Sequence, residues 1–245
     1  MVRVRTAGID LAAQAKRTGV CVIDWSEGRA RVEFMVDTND DDLANICRMV
    51  DKTGVDCPFG WPEPFVQAVQ AHASGDKWPG RGQPPDAFRR SLAFRQTDEY
   101  VRDSTGCIPL SVTSNFIGLT AMRCALLLDT LVTVDRTGRT GPVAEVYPAA
   151  TLQCWGFPRR GFKGNAGQAL RAEFLMFLAD ESISLDSEAQ ERCHESDDAF
   201  DALISALTAR AVALGRTHPP SPDQELRACT EGWIHMPTAR PGALV

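Results

Sequence analysis

The chain has 245 residues, of which 44% are hydrophobic and 24% charged, and its 26 Lys+Arg against 32 Asp+Glu give a net charge of −6. That composition excludes collagen-like, mainly disordered and coiled-coil chains, and its negative balance repels a polyanion, so any contact with nucleic acid has to be local. No run reaches the eighteen or so apolar residues that span a bilayer, and MVRVRTAGID lacks the apolar core of a secretory signal, so a cytoplasmic protein with no membrane partner is expected. The eight cysteines form no CxxC and several lie in apolar segments, which reads as buried reduced thiols.

In chain order, β-branched residues separated by Lys16-Arg17-Thr18-Gly19 and by Glu27-Gly28 predict three strands at about 3–10, 18–25 and 30–36. Asp40–Asp42 offers an N-cap and acidic first turn for an amphipathic helix to about Val50, followed by a short strand, Gly54-Val55-Asp56-Cys57, that Pro58 ends. The Gly- and Pro-rich stretch 74–87 reads as an exposed loop and a possible lid. Helices are predicted at about 97–104 and 115–130, then a turn at Thr137–Gly141, the strand Val143–Tyr147 and a helix starting at Pro148. A helix at about 166–179 and a long one from a Ser196 cap to a Gly215 stop follow, before a loop at PPSPDQ and a final short strand at EGWIHMP.

Three acids sit on or at the ends of apolar strands. Asp10 ends the first strand, where open α/β sheets place ligands, or else caps the turn that follows. Asp56 closes a second strand in the same way and is held by the rigid exit Cys57-Pro58. Glu145 lies inside Val143–Tyr147, facing either solvent at an edge or a polar site. On the long helix, Asp198, Asp201, Ser205 and Thr208 at i, i+3, i+7 and i+10 form one polar stripe. The helix dipole accounts for acids in the first turn, Asp197 and Asp198, but less readily for Asp201.

Carboxylates gathered from separate strands and a helix repel one another unless a cation lies among them, and hard oxygen donors with few histidines select Mg2+ or Mn2+ over zinc. The chemistry implied is phosphoryl transfer, in which two such ions activate water and stabilise the leaving oxygen. There is no GxGxxG opening a helix after a strand, no GxxxxGK[ST], no GxSxG and no HExxH. Cys193-His194 near Glu195 lacks a spaced partner pair and reads as structural.

The ordered set GIDLA, DCPFG, FRQTDEYVR, AEVYPA, a lysine near Gly161–Gly164 and ESDDAFDALISALTA resembles the predicted-nuclease family of the ribonuclease H-like superfamily, domain of unknown function 429, from about residue 7 to EGWIHMP. The resemblance implies one α/β domain over 1–245: a ribonuclease H-like mixed five-stranded sheet, three antiparallel strands first, flanked by helices, with an insertion at about 61–140 between the fourth and fifth core strands. It maps the metal ligands to Asp10, Asp56 and the Asp198/Asp201 pair, and DAFDALISALT is similar to the helix of Holliday-junction resolvases that carries a DxxD pair. The glutamate of the first helix in ribonuclease H has no clear counterpart; Glu145 either takes its place or is a feature of the fifth strand. Arg95, Asp98 and Lys163 match family positions, and phosphate contacts are suggested for the two basic residues. The Gly- and Thr-rich phosphate loop of the superfamily's kinases and ATPases is not matched by DLAAQAKRTG. The expectation is a Mg2+- or Mn2+-dependent nuclease acting on DNA or RNA; the alternatives are a non-catalytic nucleotide- or partner-binding protein and a nucleotide phosphotransferase.

Overall fold

The computed structural model describes residues 4–26, 29–131 and 135–245; the expected turn at Glu27-Gly28 and the start of the first strand at Arg3 lie outside them. Strands β1 (Val4–Asp10), β2 (Gly19–Ser26) and β3 (Arg29–Met35) pair antiparallel, and after helix α1 (Asp40–Met49) strand β4 (Lys52–Asp56) lies parallel to β1. Strands β5 (Val143–Val146) and β6 (Ile234–His235) extend the sheet in parallel, in the order β3-β2-β1-β4-β5-β6. The sheet thus has six strands where five were expected. The sixth is the EGWIHMP segment, two residues long, and it is pinned by side chains as well as by its ladder: Ile234 N–H donates to Thr97 Oγ1 at 2.8 Å, and the His235 ring bridges Thr137 O and Thr217 Oγ1, each at 2.8 Å.

The cap of α1 is Asn39, one residue before the expected acids; its Oδ1 accepts from the Asp41 and Asp42 N–H groups at 2.9 and 3.0 Å, and Asp42 returns the bond to Asn39 N–H. Between β4 and β5 run helices α2 (Glu63–Ala73), α3 (Pro85–Ala93), α4 (Gln96–Thr105) and α5 (Ile117–Asp129). The expected loop 74–87 is therefore shorter, because Pro85 sits at the first position of α3, where its fixed φ and missing N–H suit a helix start. Trp78 at its tip stands edge-on to His72 and Phe88, at 6.1 and 6.2 Å, and so touches both flanking helices. After β5 come α6 (Pro148–Cys154), α7 (Gln168–Asp180), α8 (Ser187–Glu195), α9 (Asp197–Ala213) and α10 (Glu225–Glu231).

Each face of the sheet buries its own core. Cys21, Ile23 and Trp25 of β2 meet Phe174, Phe200 and Leu203 of α7 and α9, whereas Ile9 and Val55 meet Leu43, Cys124 and Leu127 of α1 and α5. No disulfide forms among the described residues, and six of the eight cysteines are buried, as their apolar settings predict. No described helix is long and apolar enough to cross a membrane.

Helix α9 lies on the sheet at a distance that only glycine permits. A Cβ on Gly8 of β1 would stand 2.0 Å from Ala202 O, one on Gly54 of β4 2.4 Å from Ser205 O, and one on Gly19 of β2 2.1 Å from Asp198 O. Backbone atoms of α9 occupy those places, so no side-chain rotation relieves the clash. Small residues on the helix complete the fit, and all of Ala202, Ser205, Ala206 and Ala209 are buried.

Gly8→Ala should accordingly lift α9 from the sheet and lower stability by at least about 1–3 kcal/mol, read as the urea midpoint. The His235 pin adds a pH dependence. Burial pushes its pKa down to about 4 from the ordinary 6.5. The ring therefore stays neutral in the fold while the unfolded chain protonates, so stability is whole above about pH 6.5 and falls as pH drops toward 4. The loss should reach up to about 3 kcal/mol, and His235→Asn should flatten that slope between pH 7 and 4.5.

Candidate functional site

Parallel pairing of β1 and β4 sets Asp10 beside Asp56 at the C-terminal edge of the sheet, and α9 brings Asp201, one turn in from its N-terminus, over both. One carboxylate oxygen of each lies within 4.8 Å of the others. Asp10 and Asp56 are partly buried and Asp201 is only 7% exposed. Burial first, and then the negative charge of the other acids, raises the pKa of Asp10 and Asp56 well above the usual carboxylate range. Burial raises Asp201 as well, with Lys163 opposing.

Lys163 is the cation that meets this cluster. Its Nζ stands 2.5 Å from Asp201 Oδ2 and 3.4 Å from Asp197 Oδ2, while its side chain is 64% exposed. The two acids, with Asp10 adding to them, outweigh partial burial and raise its pKa. The loop that carries Lys163 is held from below by Arg171, a fully buried residue that donates to Phe162 O and Gly164 O on that loop and to Cys193 O and His194 O at the end of α8. Arg171 thus fixes Lys163 relative to the start of α9. Sequence reasoning missed it, because its partners are carbonyls that leave no mark on residue type. Cys193 is buried in the core and His194 and Glu195 are exposed, in keeping with a structural reading.

Other expected site residues stand apart. Asp198 turns toward Arg17, whose Nε donates to its Oδ2 at 3.2 Å, and it does not belong to the close acidic group. A helix advances 100° per residue, so Asp198 and Asp201 share a face without sharing a point, and Asp198 in the first turn is within reach of the segment before β2. Ser205 and Thr208, further along the same stripe, bond back to Asp201 O and Ile204 O at 2.8 Å and line the helix–sheet contact.

Arg95 and Glu145 form a second centre. Both guanidinium NH2 groups of Arg95 bind the Glu145 carboxylate, at 2.7 and 2.9 Å; Asp98 takes two further bonds and Glu231 O another. Arg95 is 1% exposed, so the phosphate contact expected of it has no route in this structure. Glu145 Oε2 also accepts from Phe59 N–H at 2.9 Å, which leaves its carboxylate engaged and ties β5 to the segment three residues past Asp56. Burial raises the pKa of Glu145 and Arg95 opposes it. Glu231 adds a feature not foreseen: its carboxylate accepts from Glu63 N–H and Gln96 N–H, at 2.8 and 2.7 Å, and so satisfies the first turns of α2 and α4 together. On the near side of the site, Arg123 of α5 donates to Ala12 O at 2.6 Å and pairs with Asp40, clamping the chain just after Asp10.

Two unlike ion pairs follow. Arg95→Met should cost about 3–5 kcal/mol by stranding Glu145 and Asp98 as buried charges, whereas Lys163→Met, at an exposed pair, should cost about 1 kcal/mol or less, with both read from urea unfolding.

The chain was compared with known proteins. No curated protein and no solved structure matches it. A family model described as a protein of unknown function, DUF429, matches residues 8–225, which run from the glycine under α9 through all of α9 to the start of α10. The chain belongs to the DUF429 family.

Proposed function

We propose that this protein is a Mg2+- or Mn2+-dependent nuclease of the ribonuclease H-like kind that hydrolyses phosphodiester bonds in nucleic acid. The observation that carries the reading is the convergence of Asp10, Asp56 and Asp201 within 4.8 Å on a sheet edge. Three acids that repel one another, answered only by an exposed lysine, fit a divalent cation, and their hard oxygen donors fit Mg2+ or Mn2+. The sheet adds support: three antiparallel strands followed by a parallel fourth and fifth, in the order β3-β2-β1-β4-β5, with β6 appended at the far edge.

In this reading Asp10, Asp56 and Asp201 hold the metal. When bound, it supplies charge for the developing phosphorane-like transition state and lowers the pKa of water. Asp198 stands at the flank, paired with Arg17, and Lys163 balances Asp201 until a cation does so, leaving its ammonium at the open side where a phosphate would arrive. Arg95 and Glu145 act at one remove, holding the exit of β4 on which Asp56 rests.

The test is cleavage of a panel of single-stranded, duplex and branched DNA and RNA in Mg2+ and Mn2+. Asp10→Asn and Asp201→Asn should each lower the rate by about 1,000-fold while the variants stay folded and lose the metal-induced rise in melting temperature. Wild-type protein that binds metal and cleaves none of the panel would overturn the nuclease reading, and ATP turnover by it would favour a phosphotransferase.

A further inference from the structure

Helix α5 carries an apolar stripe on its outer side. Phe116, Leu119, Met122 and Leu126 fall within about a third of the helix circumference, on the side away from Cys124, Leu127 and Leu128, which pack in the core. Ile108 and Leu110 belong to the segment that folds back on the start of α5, where Ser111 N–H donates to Asn115 Oδ1 at 2.9 Å. These six side chains are between 57 and 92% exposed. At about 170–200 Å² per residue, they leave roughly 700 Å² of apolar surface bare. The largest apolar patch on a typical monomer is about 300–600 Å², and one side of a standard protein interface is about 800 Å².

Charge makes the same point. Between Gly106 and Asp129 the sequence holds a single charged residue, Arg123, in a chain that is 24% charged. Its guanidinium is already bound to Asp40, Ala12 O and Thr18 Oγ1, so covering this face strands no charge. Nothing here offers charge complementarity to a different partner. A straight, uncharged stripe with Gly118 and Ala125 alongside it is instead complementary to itself, since two copies related by a twofold axis set stripe against stripe with the same residues on both sides. The molecules each carry −6, but the acids that give this charge lie elsewhere.

We propose that the outer face of α5, with the 108–110 segment, is a self-association surface through which two copies of this chain pair as a twofold dimer. Sedimentation equilibrium at 1–100 μM tests it with wild type, Leu119→Glu, Leu126→Glu and the double variant. Wild type should weigh twice the chain mass at the upper concentrations. Each single variant should weaken dimerisation by at least about 10-fold and the double should be a monomer, with circular dichroism and melting temperature close to those of wild type diluted to its monomer range. A wild type that stays monomeric to 100 μM overturns the proposal and leaves the face to another occupant. A dimer that survives the double variant overturns it too, by placing the contact elsewhere.

Discussion

The contact on which the rest of the molecule depends is the seat of α9 on three glycines. Gly19, Gly8 and Gly54 lie on adjacent strands, and backbone atoms of α9 stand where their side chains would be. Close approach does more than exclude a void. The Asp201 side chain is short, and a helix held at an ordinary sheet–helix spacing would keep its carboxylate away from Asp10 and Asp56. Strand ends and helix become one site because the layer between them has no Cβ atoms. The same constraint explains the alanines of α9, whose small side chains let the helix sink without steric conflict.

The two buried arginines show how the site is framed from opposite sides. Arg95 is neutralised by two carboxylates, so removing it leaves buried negative charge; Arg171 is answered by four carbonyls, so its own charge is dispersed over backbone dipoles. Arg95 joins α4, β5, the exit of β4 and the end of α10, which fixes the strand end bearing Asp56. Arg171 joins the Lys163 loop to the end of α8, which fixes the approach to Asp201. The acidic cluster thus rests on one rigid node on each face of the sheet, and neither node touches it.

Much of this was legible in the residues, and what was hidden has a common cause. Asp10 and Asp56 were readable because apolar strands ended on them, and the long helix because its alanines and leucines left a narrow polar stripe. The order of β1 to β5 followed from strand patterning and the positions of Gly and Pro. The difference between Asp198 and Asp201 was not legible: i, i+3 spacing gives both the same face, and only the position of Arg17, 181 residues from Asp198, separates them. Arg95 with Glu145, 50 residues apart, was hidden for the same reason, because a buried partner is a fact of tertiary structure. Helices α2 and α3 were obscured by the prolines that begin them, since a Pro at the first helical position and a Pro in a loop look alike in one sequence. Strand β6 is two residues long, too short for any alternation to register.

The position of α5 links the outer surface to the acids. One side of this helix fills the core beneath Ile9 and Val55, the strand residues that directly precede Asp10 and Asp56, and Arg123 from the same helix grips the chain after Asp10. Its remaining side is the apolar stripe. A load on that stripe is therefore transmitted through a single rigid helix to the two strand ends that carry acids. Arg123 has three acceptors on two different segments, so the helix cannot shift along its axis without breaking bonds to the Asp10 loop or to Asp40. Whatever covers the stripe acts on the site through that clamp, and the direction of the coupling is set by the helix rather than by any flexible connection.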